Sequence, residues 1–308
     1  MPVIEVSNLS KQFKDVLAVD NLSFSVGEGD VYGFLGQNGA GKSTNIRMLL
    51  TLVKPTSGHI HIFSKDIAKE RHEILQQTGA IIEKPDLYKY LSAFDNLSIF
   101  ARLSGLKLPR HDIMEKLEAV GLSARSESKV KTFSQGMKQR LGIAVALVHN
   151  PRLVILDEPA NGLDPQGIAD IRGLILKLRE QGKTVVISSH LLSEIEQVAT
   201  RMIIIHKGKK IIEGSVTELL DPSETIVRIQ TTDNTYARQK INSSEFSGLL
   251  QDDLDEIRLK MDKTEVPLLA QKLSGWGVGI LSIQPRHSLE DYFISLTNNE
   301  SHAELVKN

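Results

Sequence analysis

Short runs of consecutive large apolar residues punctuate the first two-thirds of the chain. Val31–Leu35 is one, ending at a glycine, and Leu153–Leu156 is four large apolar residues in a row. Residues 184–188 and 202–205 give two more. Each of the last three follows a stretch of helical character, and residues 43–52 after the first run are helical in character too. Runs this apolar predict strands buried on both faces, in a parallel sheet covered by helices. The N-terminal stretch differs. Val3-Ile4-Glu5-Val6 and Leu22-Ser23-Phe24-Ser25-Val26 partly alternate, as in an antiparallel sheet with one wet face. Further on, residues 225–230, 256–261 and 278–283 read as strands and 266–273 as a helix, a small α+β domain. Asp221-Pro222-Ser223, after a short helical stretch, marks the boundary and divides residues 1–220 from 221–308. No repeat at a solenoid period and no low-complexity segment interrupts this pattern.

Composition sharpens the division. The length of 308 residues by itself favours about two domains. The formal net charge is −1, which excludes a built-in electrostatic pull toward nucleic acid or acidic lipid. Residues 216–308 carry 9 basic and 15 acidic side chains, leaving 28 basic and 23 acidic in 1–215, together with 18 of the 22 glycines. A glycine-rich, mildly basic half suits phosphate ligands, so the chemistry is expected there. The absence of cysteine removes a disulfide framework, a thiolate zinc site and a cysteine nucleophile. The longest apolar-rich stretch, residues 141–148, is far below the roughly 20 residues that span a bilayer. The N-terminus has no charged region followed by a long apolar stretch, so no secretory signal is expected.

Gly36-Gln37-Asn38-Gly39-Ala40-Gly41-Lys42-Ser43 fits G-x-x-x-x-G-K-[ST] in full, with a strand before it and a helix after it. The glycines let successive backbone N–H groups turn inward as an anion nest, and the helix presents its positive end to the same phosphates. Lys42 would reach the β- and γ-phosphates and Ser43 would offer its hydroxyl to Mg²⁺, while Thr44 closes the ATP-binding run. A chance glycine turn would not need both flanks. The apolar strand Leu153–Leu156 ends in two carboxylates, Asp157 and Glu158. In a parallel sheet ligands gather at the C-terminal strand ends. Asp157 is then placed to hold Mg²⁺, and Glu158 to orient or deprotonate an attacking water. Asp-Glu-Pro can also merely cap a turn, which the phosphate loop makes the weaker reading.

Between these elements lies Phe133-Ser134-Gln135-Gly136-Met137-Lys138-Gln139-Arg140, a Ser-x-Gly segment opening a helix ahead of the Asp-Glu strand. This resembles the signature of ABC ATPases. Asn161-Gly162-Leu163-Asp164 resembles the family's D-loop, His190 after Val185-Val186-Ile187-Ser188-Ser189 its switch histidine, and Phe13 the aromatic that stacks on adenine. The resemblance covers roughly residues 2–215. It implies a P-loop ABC ATPase core with an antiparallel β subdomain and a helical subdomain at about 84–150, followed by an α+β accessory domain. It implies ATP and Mg²⁺ as cofactors and a head-to-tail homodimer, with Ser134 and Gly136 of one copy meeting the γ-phosphate held by the other. His190 would contact that phosphate and hold the water with Glu158. Read alone, a histidine after a strand is more often structural, and an aromatic at a strand end is more often core.

Two departures narrow the group. Where the family's Q-loop usually carries glutamine, the segment Thr78-Gly79-Ala80-Ile81-Ile82-Glu83-Lys84-Pro85 places Glu83, which keeps an oxygen for the metal shell but adds a negative charge. Gln135 and Met137 stand where glycine and glutamine are commoner. Both changes, and the tail near Leu289-Glu290-Asp291-Tyr292-Phe293, resemble the bacitracin-type and lantibiotic-immunity transporters, with relatives in gliding-motility and sodium-export systems. The expected function is the ATP-hydrolysing subunit of a membrane exporter, peripheral at the cytoplasmic face and docked on separate integral membrane permease subunits. Residues 87–106, with Tyr88, Tyr90, Phe94 and Phe100, are the expected docking surface, at least half of these aromatics being core. A soluble ABC ATPase acting on ribosomes or DNA is the alternative. It fits less well: there is one phosphate loop and one signature, no long coiled coil, and no nucleic-acid footprint. An inactive regulator conflicts with the presence of Lys42, Asp157, Glu158 and His190.

Overall fold

The computed structural model describes residues 2–220, 225–251 and 256–287, with only the backbone of Arg286 and His287. The Asp221-Pro222-Ser223 break and the tail at 289–293 lie outside the described residues. The chain divides into two compact units, Met1–Ser215 and Val216–Asn308.

In the first unit, strands β1 (Pro2–Phe13) and β2 (Val16–Gly27) form a long hairpin, and β3 (Val31–Leu35) leads through the glycine loop into α1 (Lys42–Leu49). Strands β4 (Ser57–Ile62) and β5 (Lys65–Asp66), helix α2 (Arg71–Leu75) and strand β6 (Thr78–Ile81) follow. Then come α3 (Ala93–Leu103), α4 (Arg110–Ala119) and α5 (Gln135–Ala146). The unit closes with β7 (Leu153–Leu156), α6 (Pro165–Glu180), β8 (Thr184–Ser189), α7 (Leu192–Glu196), β9 (Arg201–His206) and β10 (Lys209–Ser215). The helix expected over residues 43–52 stops at Leu49, because Thr51 turns into the left-handed region at φ 59°.

Two sheets result. One is antiparallel, in the order β2-β1-β4-β5; the other runs β10-β9-β3-β8-β7-β6, parallel except for the edge strand β10. Every residue of β3, β7 and β8 is buried, the burial expected of central parallel strands. The sheets share one core, in which Phe24 of β2 meets Phe34 of β3 edge-on at 4.9 Å between ring centres. Helices α3, α4 and α5 pack around a separate apolar cluster that includes Leu97, Leu117 and Leu141. Helix α3 starts at a reciprocal cap in which Ser92 accepts from Asp95 N–H and the Asp95 carboxylate accepts from Ser92 N–H. Helix α5 is tied to the large sheet by close backbone approach: a Cβ on Gly79 of β6 would sit 2.0 Å from the Ala146 carbonyl oxygen.

The second unit begins with α8 (Val216–Leu219). Its sheet places β11 (Thr225–Thr231) between β12 (Ile257–Met261) and β13 (Ile280–His287), all antiparallel. Helices α9 (Asn234–Asn242) and α10 (Val266–Gly275) cover one face, so β11 alternates buried and less buried positions along its length. The strand expected at 278–283 starts two residues later. Gly277 is left-handed at φ 74°, and Gly279 lies against Thr232, whose N–H donates to its carbonyl at 2.8 Å.

Candidate active site

Sheet order assembles the site. β8 lies between β3 and β7, with Leu35 beside Ser189 and Leu156 beside Ile187, so three parallel strands end at one edge. The glycine loop leaves β3, the pair Asp157-Glu158 leaves β7, and Ser188-Ser189-His190 completes β8. Glu83 follows β6, the next strand out. The C-terminal edge of a parallel sheet is where such folds collect ligands.

The loop is built for close backbone approach. Gly41, at the N-terminal end of α1, takes φ 102°, and a Cβ there would sit 2.6 Å from the Ala18 carbonyl oxygen. A Cβ on Gly36 would meet the Ile205 carbonyl oxygen at 2.6 Å. The N–H of Ala40 donates to the Gln37 carbonyl at 3.1 Å and closes the turn. Gln37, Asn38, Gly39, Gly41, Lys42, Ser43 and Thr44 line one wall of a cleft; Glu158 lines it from the other side.

Lys42 is 5% exposed, so its ammonium must find partners within the protein. It donates to the carbonyls of Gly36 at 2.6 Å and Gln37 at 3.0 Å, and pairs with Glu158 Oε1 at 3.1 Å. Glu158 Oε2 lies 2.8 Å from His190 Nδ1. One carboxylate therefore joins the loop lysine to the histidine beyond β8. Glu158 adopts φ 50°, an uncommon conformation for a residue with a side chain. Its N–H donates to Ser188 Oγ at 2.8 Å, and Ser188 Oγ donates to Asp157 Oδ1 at 2.5 Å. Asp157 is 1% exposed, and its Oδ2 is buried with no hydrogen-bond partner. A buried carboxylate oxygen without a protein partner, on the residue before cleft-lining Glu158, and the Ser43 hydroxyl that lines the cleft are oxygen donors of the kind that suit a hard divalent cation.

The other expected residues are placed differently. Phe13 is 43% exposed at the tip of the β1–β2 hairpin, so it is not core; it does not line the cleft, and Lys11 Nζ lies 4.7 Å from its ring centre. Glu83 is exposed, at φ 58°, and forms an ion pair with Arg47, four residues beyond Ser43 on α1. Ser134 caps α5, accepting from Met137 N–H at 3.2 Å; neither it nor Gly136 lines the cleft of its own chain. Sequence alone gives three residues no role at the site. Ala18 and Asn161 line the cleft, and Ser188 bridges the two carboxylate residues. Asn161 was legible as part of the D-loop-like segment, whereas Ala18 and Ser188 depend on which strands become neighbours.

A phosphate loop ending a central parallel strand, with an Asp-Glu pair two strands away, defines a P-loop nucleotide-hydrolysing protein. Comparison narrows the class. The ABC transporter family matches residues 19–161. The chain is 41% identical over 298 residues to the uncharacterised ABC transporter ATP-binding protein YhcH of Bacillus subtilis, covering 96% of each. It is 43% identical over 300 residues to the bacitracin transport ATP-binding protein BcrA of Bacillus licheniformis, covering 96% of this chain and 97% of that one. Among solved structures, cbiO1 of Clostridium perfringens, part of the ABC transporter complex cbiONQ, superposes with a TM-score of 0.65 at 25% identity, over 79% of this chain and 96% of that one. An ATP-binding cassette solved as a dimer in a post-hydrolysis state with ADP and Pi gives 0.62 at 25% identity, over 69% and 98%. This chain belongs to the ABC transporter ATP-binding proteins. It is an ATPase subunit of a membrane transporter, and the reading as a ribosome- or DNA-acting protein is not favoured. Among the described residues no helix is long and apolar enough to cross a membrane.

Proposed function

We propose that this chain works as a homodimer seated on separate integral membrane permease subunits, at the cytoplasmic face, and powers export. Relatives named for bacitracin and lantibiotic transport support the transporter role, one named for linearmycin resistance supports export, and the dimeric cassette supports the pairing. The observation that carries the reading is the junction of Lys42, Glu158 and His190 at neighbouring strand ends.

The residues divide the work as follows. Backbone N–H groups of the loop other than those of Gly36 and Ala40, which donate to the Ser189 and Gln37 carbonyls, cradle the phosphates of ATP, and Lys42 neutralises charge on the γ-phosphoryl oxygens. Ser43 and Asp157, with Glu83 as a further candidate, would hold Mg²⁺, which when bound supplies Lewis-acid charge stabilisation to the phosphoryl oxygens. Glu158 accepts a proton from water as its oxygen bonds to the γ-phosphorus and ADP leaves. His190 fixes the Glu158 carboxylate and faces the same phosphate. Ser134 and Gly136 of a second copy complete the phosphate shell with a hydroxyl and the N-terminal end of α5. Phe13, exposed at its hairpin tip, is available to stack on adenine.

For docking, Tyr88 and Tyr90 are the candidates. They are 50% and 78% exposed, whereas Phe94 and Phe100 pack against the core of the helical part.

The test is a pull-down of tagged Glu158→Gln with ATP and Mg²⁺ from detergent-solubilised host membranes. Loss of the base should hold the dimer closed with its partner attached. Recovery of a polytopic membrane protein is the expected result. Recovery of ribosomes, DNA or a soluble dimer alone would overturn the proposal.

A further inference from the structure

Ser188 is fully buried, on the central strand β8 two residues before His190, and the sequence alone assigns its side chain no role. A buried hydroxyl has one proton to give and lone pairs to receive with. Here the proton goes to Asp157 Oδ1 at 2.5 Å, and a lone pair takes the N–H of Glu158 at 2.8 Å. The two consequences are separate. Asp157 cannot turn its carboxyl freely, because Oδ1 is held from the β8 side and Oδ2 is thereby left as the unpartnered buried oxygen. Glu158, meanwhile, is held at φ 50°, the conformation from which its side chain reaches both Lys42 and His190.

We propose that Ser188 is a positioning residue for the metal–nucleotide complex: its hydroxyl decides which Asp157 oxygen is presented to the cation and pins the backbone of Glu158 beside it. The inference rests on the ATPase reading above, since it concerns how that site is held. A hydrogen-bonding group that orients a metal-ligating carboxylate typically changes metal affinity by about 10–100-fold when removed. Ser188 acts only through Asp157 and Glu158. Removing its oxygen should therefore spare the phosphate loop, whose hold on nucleotide without metal comes from Lys42 and backbone N–H groups.

The experiment measures binding, not turnover. Mn²⁺ is titrated into the full-length chain carrying a non-hydrolysable ATP analogue, with free Mn²⁺ read by EPR, and analogue affinity is measured separately in EDTA. Ser188→Ala should weaken Mn²⁺ binding roughly 10–100-fold while leaving affinity in EDTA unchanged. In an Asp157→Ala background the same substitution should cost no further Mn²⁺ affinity, because the two residues act as one unit. Should Ser188→Ala not fold, Ser188→Cys keeps the size and a weak S–H donor, and an intermediate Mn²⁺ affinity is expected. Native Mn²⁺ affinity in either variant, or an equal loss of metal-free binding, would overturn the role of Ser188. Failure of the native chain to bind the analogue at all would instead overturn the ATPase reading.

Discussion

His190 Nδ1 stands 2.8 Å from Glu158 Oε2, and the two residues follow the adjacent strands β8 and β7. Contact between a neutral or protonated imidazole and this carboxylate fixes where the second oxygen points, which is toward Lys42. In the function proposed above the pair serves as a base with an orienting partner, the arrangement that positions water for attack on phosphorus.

Replacing His190 by Ala should lower kcat for ATP by about 10²–10⁴-fold, the range of a lost acid–base or orienting partner. The KM should move far less, because Lys42 and the loop are untouched. Phosphate release measured at saturating ATP, beside direct nucleotide binding, separates the two. Equal losses in both would mean that His190 is structural.

Phe13→Ala tests the adenine platform. Stacking a base on an aromatic ring is worth about 1–3 kcal/mol, which corresponds to roughly 5–150-fold in nucleotide affinity. The ring already has the Lys11 ammonium 4.7 Å from its centre, so only part of its surface is open and the lower end is expected. Phe13→Trp should retain binding. Unchanged affinity in the alanine variant would remove Phe13 from the site.

The Arg47–Glu83 ion pair is exposed on both sides and should contribute no more than about 1 kcal/mol to stability. Arg47→Ala and Glu83→Gln are accordingly expected to unfold at nearly native urea concentrations. If Glu83 supplies an oxygen to the metal shell, Glu83→Gln should raise the Mg²⁺ concentration for half-maximal ATPase activity. An unaltered Mg²⁺ dependence would leave Glu83 as a surface partner of Arg47 alone.

Gly79→Ala should be destabilising, by about 1–3 kcal/mol, because the new methyl would press on the Ala146 carbonyl, a backbone atom at the end of α5. The midpoint of urea unfolding measures it. A native midpoint would mean that α5 can lift from β6 at little cost.

His149 gives a pH prediction. Burial holds its pKa below the ordinary 6.5; Nε2 contacts the Thr78 carbonyl at 3.2 Å, while Nδ1 is buried without a partner. The unfolded chain therefore takes up the proton first as pH falls. Stability from the neutral ring is complete above the ordinary value and is lost as pH drops through it toward the lowered one. His149→Gln should reduce the loss of stability measured between about pH 7.5 and 5.5. An identical pH dependence in the variant would exclude this histidine as its source.

The central strands were legible because consecutive apolar residues such as Leu153–Leu156 can be satisfied only with both faces covered. The phosphate loop and the Asp157-Glu158 pair were legible because glycine freedom and paired carboxylates leave marks at fixed spacing. What escaped was anything decided by which strands become neighbours. Nothing around Ser188 in the sequence says that its hydroxyl will lie between Asp157 and Glu158, since that follows from β8 inserting between β3 and β7. Nor could spacing show that Glu83 would meet Arg47. The end of α1 was missed because a left-handed Thr51 has no compositional signal.

The β3-β8-β7 succession also acts as a ruler. Neighbouring strands lie about 4.8 Å apart whatever their side chains, so the distances separating loop, histidine and carboxylates are set by backbone hydrogen bonding. Outer helical surfaces can vary without disturbing them. A slip of one residue between β8 and β7 would carry Ser188 and His190 away together, turning every side chain of the strand to the opposite face. The chemistry thus depends on the register of three short strands as much as on the residues around the cleft above them.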